Sequence, residues 1–295
     1  MENSYSNDND PLNKQDILPY LCHDITDRIF IYNSLESTNI TAKELAAKGA
    51  KHGTVLIADS QTAGKGRYGR SFFSPPGHGL YMSFILQPEF FGYENTTLIT
   101  AFAAVAVCEA IEAITDTPVA GKSIKSKTPQ IKWVNDVFIN GKKVCGILTE
   151  SVISSDSSVI PWIVLGIGVN FKTPKAGFPE DLQKIAGCIF ENEKPTVSRN
   201  RLAAEIINRL VFPVTNQVSR NDKTCCFEKA ALEKTMLENY KQRMFLLGKP
   251  IIVTGVGDSF EAIATDIDDL GQLIVKKDNG ELLTLNSGEV CIRNR

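Results

Sequence analysis

Seven consecutive residues, Gly64-Lys65-Gly66-Arg67-Tyr68-Gly69-Arg70, place three glycines among three cations. Glycine lets a main chain approach a ligand closely. Lys and Arg donate charge-assisted hydrogen bonds to phosphate or carboxylate. A cationic, glycine-rich loop of this kind is suited to closing over an anion and excluding water. Such loops also bind RNA or are simply solvated, so the flanks must decide. Two later stretches carry polar groups inside apolar runs. One is Lys132-Trp133-Val134-Asn135-Asp136, and the other runs from Lys143 to Glu150. Burying such groups unpaired is costly, so they need partners or must face a surface. Asn135 and Asp136 lie close to Lys143 across a hairpin, which favours a site.

The elements that must position these residues follow from the spacing of apolar residues. Ile29 to Tyr32 reads as a strand, followed by a helix from about Thr41 to Lys48. Thr41 with Glu44 fits a capping box, and Gly49 fits a C-terminal stop. Ser37, Thr38 and Asn39 then fall in the turn before the helix. They would cap it or bind a neutral polar ligand, and spacing alone favours capping. Thr54 to Ala58 is a buried-type strand that delivers the chain to Gln61 and the basic loop. Leu80 to Leu86 is the next strand, so the loop joins two strands and is anchored by Phe72, Phe73, Pro75 and Pro76. Leu98 to Ile114 reads as a core helix, and Gly121 to Thr128 as an exposed basic loop. Ile131 to Ile139 reads as one strand, turned at Asn140-Gly141 into a return strand from Lys142 to Glu150. Pro161 to Phe171 is another strand carrying Gly166, Gly168 and Asn170; as a lone G-x-G this is a weak signal. Arg199 to Val211 and Cys226 to Arg243 read as helices. From Gly248 onward, short strands punctuated by glycines predict a compact all-β module.

Bulk properties narrow the function further. The 295 residues suffice for one large domain and one small one. Residues 1–28 are expected to be a polar N-terminal tail, 29–247 a catalytic domain and 248–295 the β-module. A net charge of -2 argues against a general nucleic-acid binder. The segment before Ser37 is too short for a helix-turn-helix module, so DNA binding is not expected. No apolar run reaches the ~18 residues of a membrane span, and Met1 to Asp10 lacks the apolar core of a signal peptide. A cytoplasmic protein is expected. The seven cysteines have neither C-x-x-C pairing nor a histidine at metal spacing, which favours reduced thiols over disulfides or zinc.

Taken together in order, Ser37-Thr38-Asn39, Gln61 to Arg70, Lys132 to Asp136, and Lys143-x-x-Gly146 to Glu150 resemble the biotin protein ligases. The likeness runs from about Phe30 to the C-terminus. It implies an α+β fold: a mixed-sheet catalytic domain of the biotin/lipoate ligase type, with an SH3-like C-terminal domain. The implied chemistry has two steps. Biotin and Mg-ATP give biotinyl-5'-AMP, and the acyl group then passes to a lysine on a biotin carboxyl carrier domain. Arg67 and Lys143 would be catalytic. The biotin set would be Ser37, Thr38, Asn39, Gln61, Gly64, Gly66, Arg67, Lys143 and Gly146. The ATP set would be Arg67, Arg70, Phe72, Lys132, Asn135, Asp136 and Asn170, with Mg²⁺ held mainly by the ATP phosphates.

Three positions depart from the common family pattern. Lys65 stands where Arg is frequent, Phe72 where Trp is frequent and Val134 where Pro is frequent. A lipoate or octanoate ligase is the enzymatic alternative, but the chain has no Arg-Arg-x-x-Gly-Gly-Gly run. A non-catalytic biotin sensor or RNA-binding protein is the alternative of another class. The chemistry of the residues agrees with the ligase reading. Cations and Mg²⁺ around a phosphate offset the repulsion between a carboxylate and a polyphosphate.

Overall fold

The computed structural model describes residues 10–87, 96–116, 127–152, 162–191, 194–211, 223–255 and 258–293. Most of the basic stretch from Gly121 to Thr128 lies outside these. A seven-stranded mixed sheet forms the larger body, in the order β1-β2-β3-β7-β6-β5-β4. Its strands are β1 (Ile29–Tyr32), β2 (Thr54–Ala58), β3 (Gly79–Leu86), β4 (Gln130–Lys132), β5 (Asp136–Ile139), β6 (Lys142–Val152) and β7 (Trp162–Asn170). Of these neighbours only β1 and β2 run parallel; the others are antiparallel.

Both faces of the central strands are covered, which explains their continuous apolar runs. Val55, Ile57, Phe84 and Leu165 join the main core. Leu56, Ile85 and Val164 point the other way, against Ala42 and Ala46. Those alanines belong to α2 (Thr38–Ala47). On the main-core face lie α3 (Thr96–Thr115) and α4 (Arg199–Val211). By length and composition α3 would pass for a membrane span, contrary to the expectation from sequence, but 78% of its most apolar window is buried within the fold.

Three local expectations need correction. The helix predicted from Thr41 begins at Thr38, with Ser37 at the N-cap position. Thr41 Oγ1 bonds back to Ser37 O instead of capping, and Ser37 makes no side-chain cap bond. Thr38 and Asn39 therefore sit in the first helical turn. Second, the single strand predicted over Ile131 to Ile139 is two strands, β4 and β5, paired with each other across a turn at Trp133-Val134-Asn135. Apolar residues lie in and just beyond the turn, Trp133 and Val134 within it and Val137 to Ile139 after it, so the segment reads as one run. Third, the segment expected to be a polar tail is folded from residue 10 onward, residues 1–9 lying outside the described residues. It contains α1 (Lys14–Ile17) and buries Ile17 and Ile25. Asp10 receives hydrogen bonds from Arg199 N and Nε. Arg199 is 2% exposed and also donates to Asp59 Oδ1 at 2.6 Å and to Gly79 O. A guanidinium so deeply buried must be paired, and its two carboxylates come from segments far apart in the chain.

The C-terminal module is a five-stranded antiparallel sheet, SH3-like in type. It comprises β8 (Pro250–Thr254), β9 (Phe260–Ile267), β10 (Leu273–Lys277), β11 (Leu282–Leu285) and β12 (Glu289–Ile292), ordered β11-β10-β9-β8-β12. Strand β12 is absent from the sequence expectation. A long helix, α5 (Lys223–Arg243), leads into the module. The module is fixed to the larger body. Trp133 Nε1 donates to Gly271 O at 3.0 Å in a buried contact, and Lys241 pairs with Asp266 at 3.0 Å. Among the described residues five cysteines are free thiols.

One buried group makes the fold pH-sensitive. His52 Nδ1 accepts from Gln87 N at 3.1 Å. Burial, with the nearby Arg28 cation, lowers its pKa from 6.5 to about 4. The unfolded chain then binds a proton that the folded chain refuses, so stability is full above pH 6.5 and falls as pH drops toward 4. By pH 5 the loss is about 2 kcal/mol. Chemical denaturation at pH 7 and pH 5 is expected to show this difference, and His52→Gln is expected to remove most of it.

Candidate active site

Polar residues at the start of α2, the basic loop, the β4–β5 turn and the strands β6 and β7 meet around one cavity of about 400 Å³. Of the residues singled out in the sequence, Ser37, Thr38, Asn39, Gln61, Gly66, Arg67, Arg70, Phe72, Lys132, Asn135, Asp136, Lys143, Gly146 and Asn170 line it. Gly64 does not. It lies behind the wall, where an added Cβ would sit 2.5 Å from Phe72 O and 2.7 Å from Ser74 Oγ. That glycine is required by close packing of the loop base.

Along the cavity wall polar groups form a chain. Thr38 N and Oγ1 donate to Gln61 Oε1 at 2.8 and 3.1 Å. Gln61 Nε2 donates to Ser74 Oγ, which donates to Phe72 O. The start of α2 and the base of the loop are thereby locked together. Ser37 is 1% exposed, and its hydroxyl is not spent on capping. Asn39 behaves differently. Its Nδ2 donates to Glu150 Oε2 and its Oδ1 accepts from Ser83 Oγ at 2.6 Å. A Cβ on Gly166 would lie 2.2 Å from Asn39 Oδ1. Asn39 thus pins α2 onto β3, β6 and β7, its amide already engaged. Burial pushes the Glu150 carboxyl up, but Lys43 and Asn39 outweigh it and hold the pKa below its usual value.

The floor of the cavity is an aromatic ring on glycines. A Cβ on Gly168 would lie 2.6 Å from the Phe72 ring, and one on Gly146 would lie 3.1 Å from it. The Phe72 ring also meets Tyr81 edge-on at 6.3 Å. The G-x-G of β7, weak as a motif, has a steric cause here: its two glycines make room for Asn39 and Phe72.

Cations share the cavity wall with these groups. Lys65, Arg67, Arg70, Lys132 and Lys143 line the cavity, against the carboxylates of Asp136 and Glu289. Lys143 Nζ lies 2.6 Å from Asp136 Oδ1. That oxygen has no partner of hydrogen-bond geometry, so the contact is an ion pair without a directed bond. Arg67 Nη1 donates to Asn135 Oδ1 at 3.1 Å. Asn135 itself is held by two bonds to Ile147, from its Nδ2 and to its carbonyl. Tyr240 supports the same turn by donating to Val134 O at 3.0 Å. Asn170 Nδ2 donates to Gly187 O, and Lys143 N donates to Ile185 O. These bonds bring Phe178, Leu182 and Ile185 to the wall.

Several residues that shape the site are given no role by the sequence reading. Ser74, Ser83 and Glu150 orient the predicted residues from behind. The stretch Gly288 to Cys291 closes the cavity from the side of the C-terminal module, and Tyr68 contacts that stretch from outside through Gly288. The strand period of Glu289-Val290-Cys291-Ile292 is the signal that could have found β12. Among the described residues no three His, Cys, Asp or Glu side chains cluster as a metal cage.

Comparison with known proteins agrees with this geometry. The Biotin/lipoate A/B protein ligase family matches residues 31–170, and the Biotin protein ligase C terminal domain matches residues 246–293. The bifunctional ligase/repressor BirA of Bacillus spizizenii is 32% identical over 83% of this chain and 68% of its own length. The biotin–[acetyl-CoA-carboxylase] ligase of Paracoccus denitrificans is 31% identical, over 82% of this chain and 91% of its own. A solved structure of the Aquifex aeolicus biotin protein ligase, in complex with biotin and ATP, superposes with a TM-score of 0.67. It is 25% identical and covers 91% of this chain and 99% of that one. Relatives named as ligases therefore match both sheets of the fold, and the chain belongs to the biotin protein ligase family.

Proposed function

We propose that this chain is a biotin–protein ligase: it joins biotin to ATP as biotinyl-5'-AMP and passes the biotinyl group to a carrier lysine. The observation that carries this reading is one cavity lined both by neutral hydrogen-bonding side chains and by a group of cations. A neutral ring system and a polyphosphate need those two environments side by side. The biotin head lies beside Ser37, Thr38 and Gln61. Its carboxylate points toward Arg67 and Lys143, where the ATP α-phosphate also lies. Phe72, Lys132, Asn135, Asp136 and Asn170 surround the nucleotide.

In the first step a carboxylate oxygen attacks the α-phosphorus, and the bond to the departing pyrophosphate breaks. Arg67 and Lys143 offset the charge that gathers on the phosphate oxygens. Both are anchored beforehand, to Asn135 and Asp136, so little reorganisation is needed as the charge develops. The acidic side chains in the cavity, Asp136 and Glu289, fit contact with a Mg²⁺ that arrives on the ATP phosphates. When bound, that ion supplies further charge neutralisation. In the second step the lysine amine attacks the acyl carbon, AMP leaves and the new amide forms. A neutral amine is the nucleophile, and no covalent enzyme intermediate is required. The carrier is a biotin carboxyl carrier domain under this reading, and the need for ATP favours a cytosolic setting.

Incubation with biotin, ATP and a carrier domain is expected to give biotinylated carrier; transfer of lipoate alone would replace this reading by its nearest alternative. Failure of biotin-dependent ATP–pyrophosphate exchange would point instead to a binding protein. Lys143→Ala is expected to slow single-turnover adenylation about 100-fold, measured by quench-flow, while the far-UV spectrum stays unchanged. Arg67→Gly is expected to release biotinyl-5'-AMP about tenfold faster in the absence of carrier. Retention at the parent rate would remove Arg67 from that role.

A further inference from the structure

The basic loop is fastened to the C-terminal module at two points, and the chemical meaning of this fastening rests on the ligase reading. Gly288 N, in the turn between β11 and β12, donates to the Tyr68 hydroxyl oxygen at 2.9 Å. Arg67 Nη2 donates to the same oxygen at 2.9 Å. The other end of that guanidinium donates to Asn135. Two residues beyond Tyr68, Arg70 Nη2 pairs with Glu289 Oε2 at 2.7 Å. Inside the loop, Gly66 N donates to Arg70 O and Phe72 N to Gly64 O, so the segment is tied together by its own backbone.

Tyr68 is an unusual residue for this position. Its φ is 56°, in the left-handed region that favours glycine, although it is flanked by Gly69, which also has a positive φ of 74°. Its side chain is among the exposed large hydrophobics at 58%. Core packing therefore does not account for the strained backbone. The hydroxyl does, because this backbone sends the Tyr68 oxygen between the Arg67 guanidinium and the Gly288 amide.

We propose that Tyr68 is a positioning residue. Its hydroxyl aligns the Arg67 guanidinium from outside the cavity and clasps the loop to the β11–β12 turn, so retention of the acyl adenylate depends on the C-terminal module. The clasp uses a neutral acceptor, which leaves the Arg67 charge available to the reacting carboxylate and phosphate. Glu289 steadies the same loop through Arg70. The module thereby acts on the first half-reaction without supplying a reacting group.

Tyr68→Phe tests this by deleting one oxygen and keeping the ring. Water can reach the exposed site, so the melting temperature is expected to match the parent. Hydrogen–deuterium exchange on the ligand-free chain reads the clasp without any chemistry. The amides of residues 64–70 are expected to exchange about fivefold faster in Tyr68→Phe. With ATP and labelled biotin but no carrier, the acyl adenylate is expected to escape about tenfold faster. The KM for biotin is expected to rise more than kcat for pyrophosphate exchange falls. Glu289→Gln is expected to move loop exchange and escape in the same direction. Loop exchange equal to the parent in both variants would overturn the clasp. Faster loop exchange with an unchanged escape rate would overturn its role in retention. If the parent itself makes no acyl adenylate, the ligase reading falls, and the exchange result still decides the clasp.

Discussion

Five cations facing one cavity repel each other, and the structure is arranged around that repulsion. Without counter-charges the loop would swing outward, where water screens it. Three of the cations have anchors, and each anchor is different. Lys143 is set against the Asp136 carboxylate, Arg67 against the neutral Asn135 amide and Arg70 against Glu289. The gradation matters for chemistry. Arg67 is held in place by neutral acceptors, so its charge is the least compensated of the three. Under the proposed function, an anion entering the cavity meets a guanidinium that is already aimed but not yet neutralised. This is electrostatic preorganisation, the arrangement that costs least when charge develops in a transition state.

The sheet makes that arrangement possible by giving up side chains. Gly146, Gly166 and Gly168 lie on the two neighbouring strands β6 and β7, paired as Gly146 with Gly168 and Leu148 with Gly166. Their missing Cβ atoms create a trough in an otherwise well-filled strand surface. Phe72 and Asn39 occupy it, one from the loop and one from α2. A ring lying on glycine backbone is held sterically, and a buried amide engaged on both sides is held by hydrogen bonds. Together they set the loop and the helix at fixed positions on a common base. The polar chain from Thr38 through Gln61 to Ser74 then joins the two directly.

Much of this is legible in the sequence because it is local. Glycine and arginine within seven residues, an Asn-Gly turn and apolar strands of five to nine residues all speak through nearest neighbours. The turn at Asn140 and Gly141 has positive φ at both residues, as its composition requires. What stays hidden depends on contacts distant in the chain. The run from Ile131 to Ile139 folds back at a turn held by Ile147, Tyr240 and Gly271, none of which belongs to that run. The helix starts at Thr38 and not at Thr41 because Gln61 satisfies the Thr38 amide, a job that a local cap would otherwise do. Tyr68 reads as an ordinary aromatic between cations until the C-terminal module is folded against it. Glu150 and Ser83 likewise reveal their work only once Asn39 is seen between them.

The Arg199 cluster bears on what the smallest stable piece of this protein is. Its charge is answered by Asp10 and Asp59, and Asp59 also accepts from Gly77 N. The segment matched by the ligase family begins at residue 31. A fragment cut at that border would keep every residue assigned to chemistry before the C-terminal module and still lose half the answer to a guanidinium sealed inside the protein. The border of the family match and the border of physical self-sufficiency therefore do not coincide in this chain. Residues 10–30 are a structural keel, and engineered fusions or truncations have to respect it.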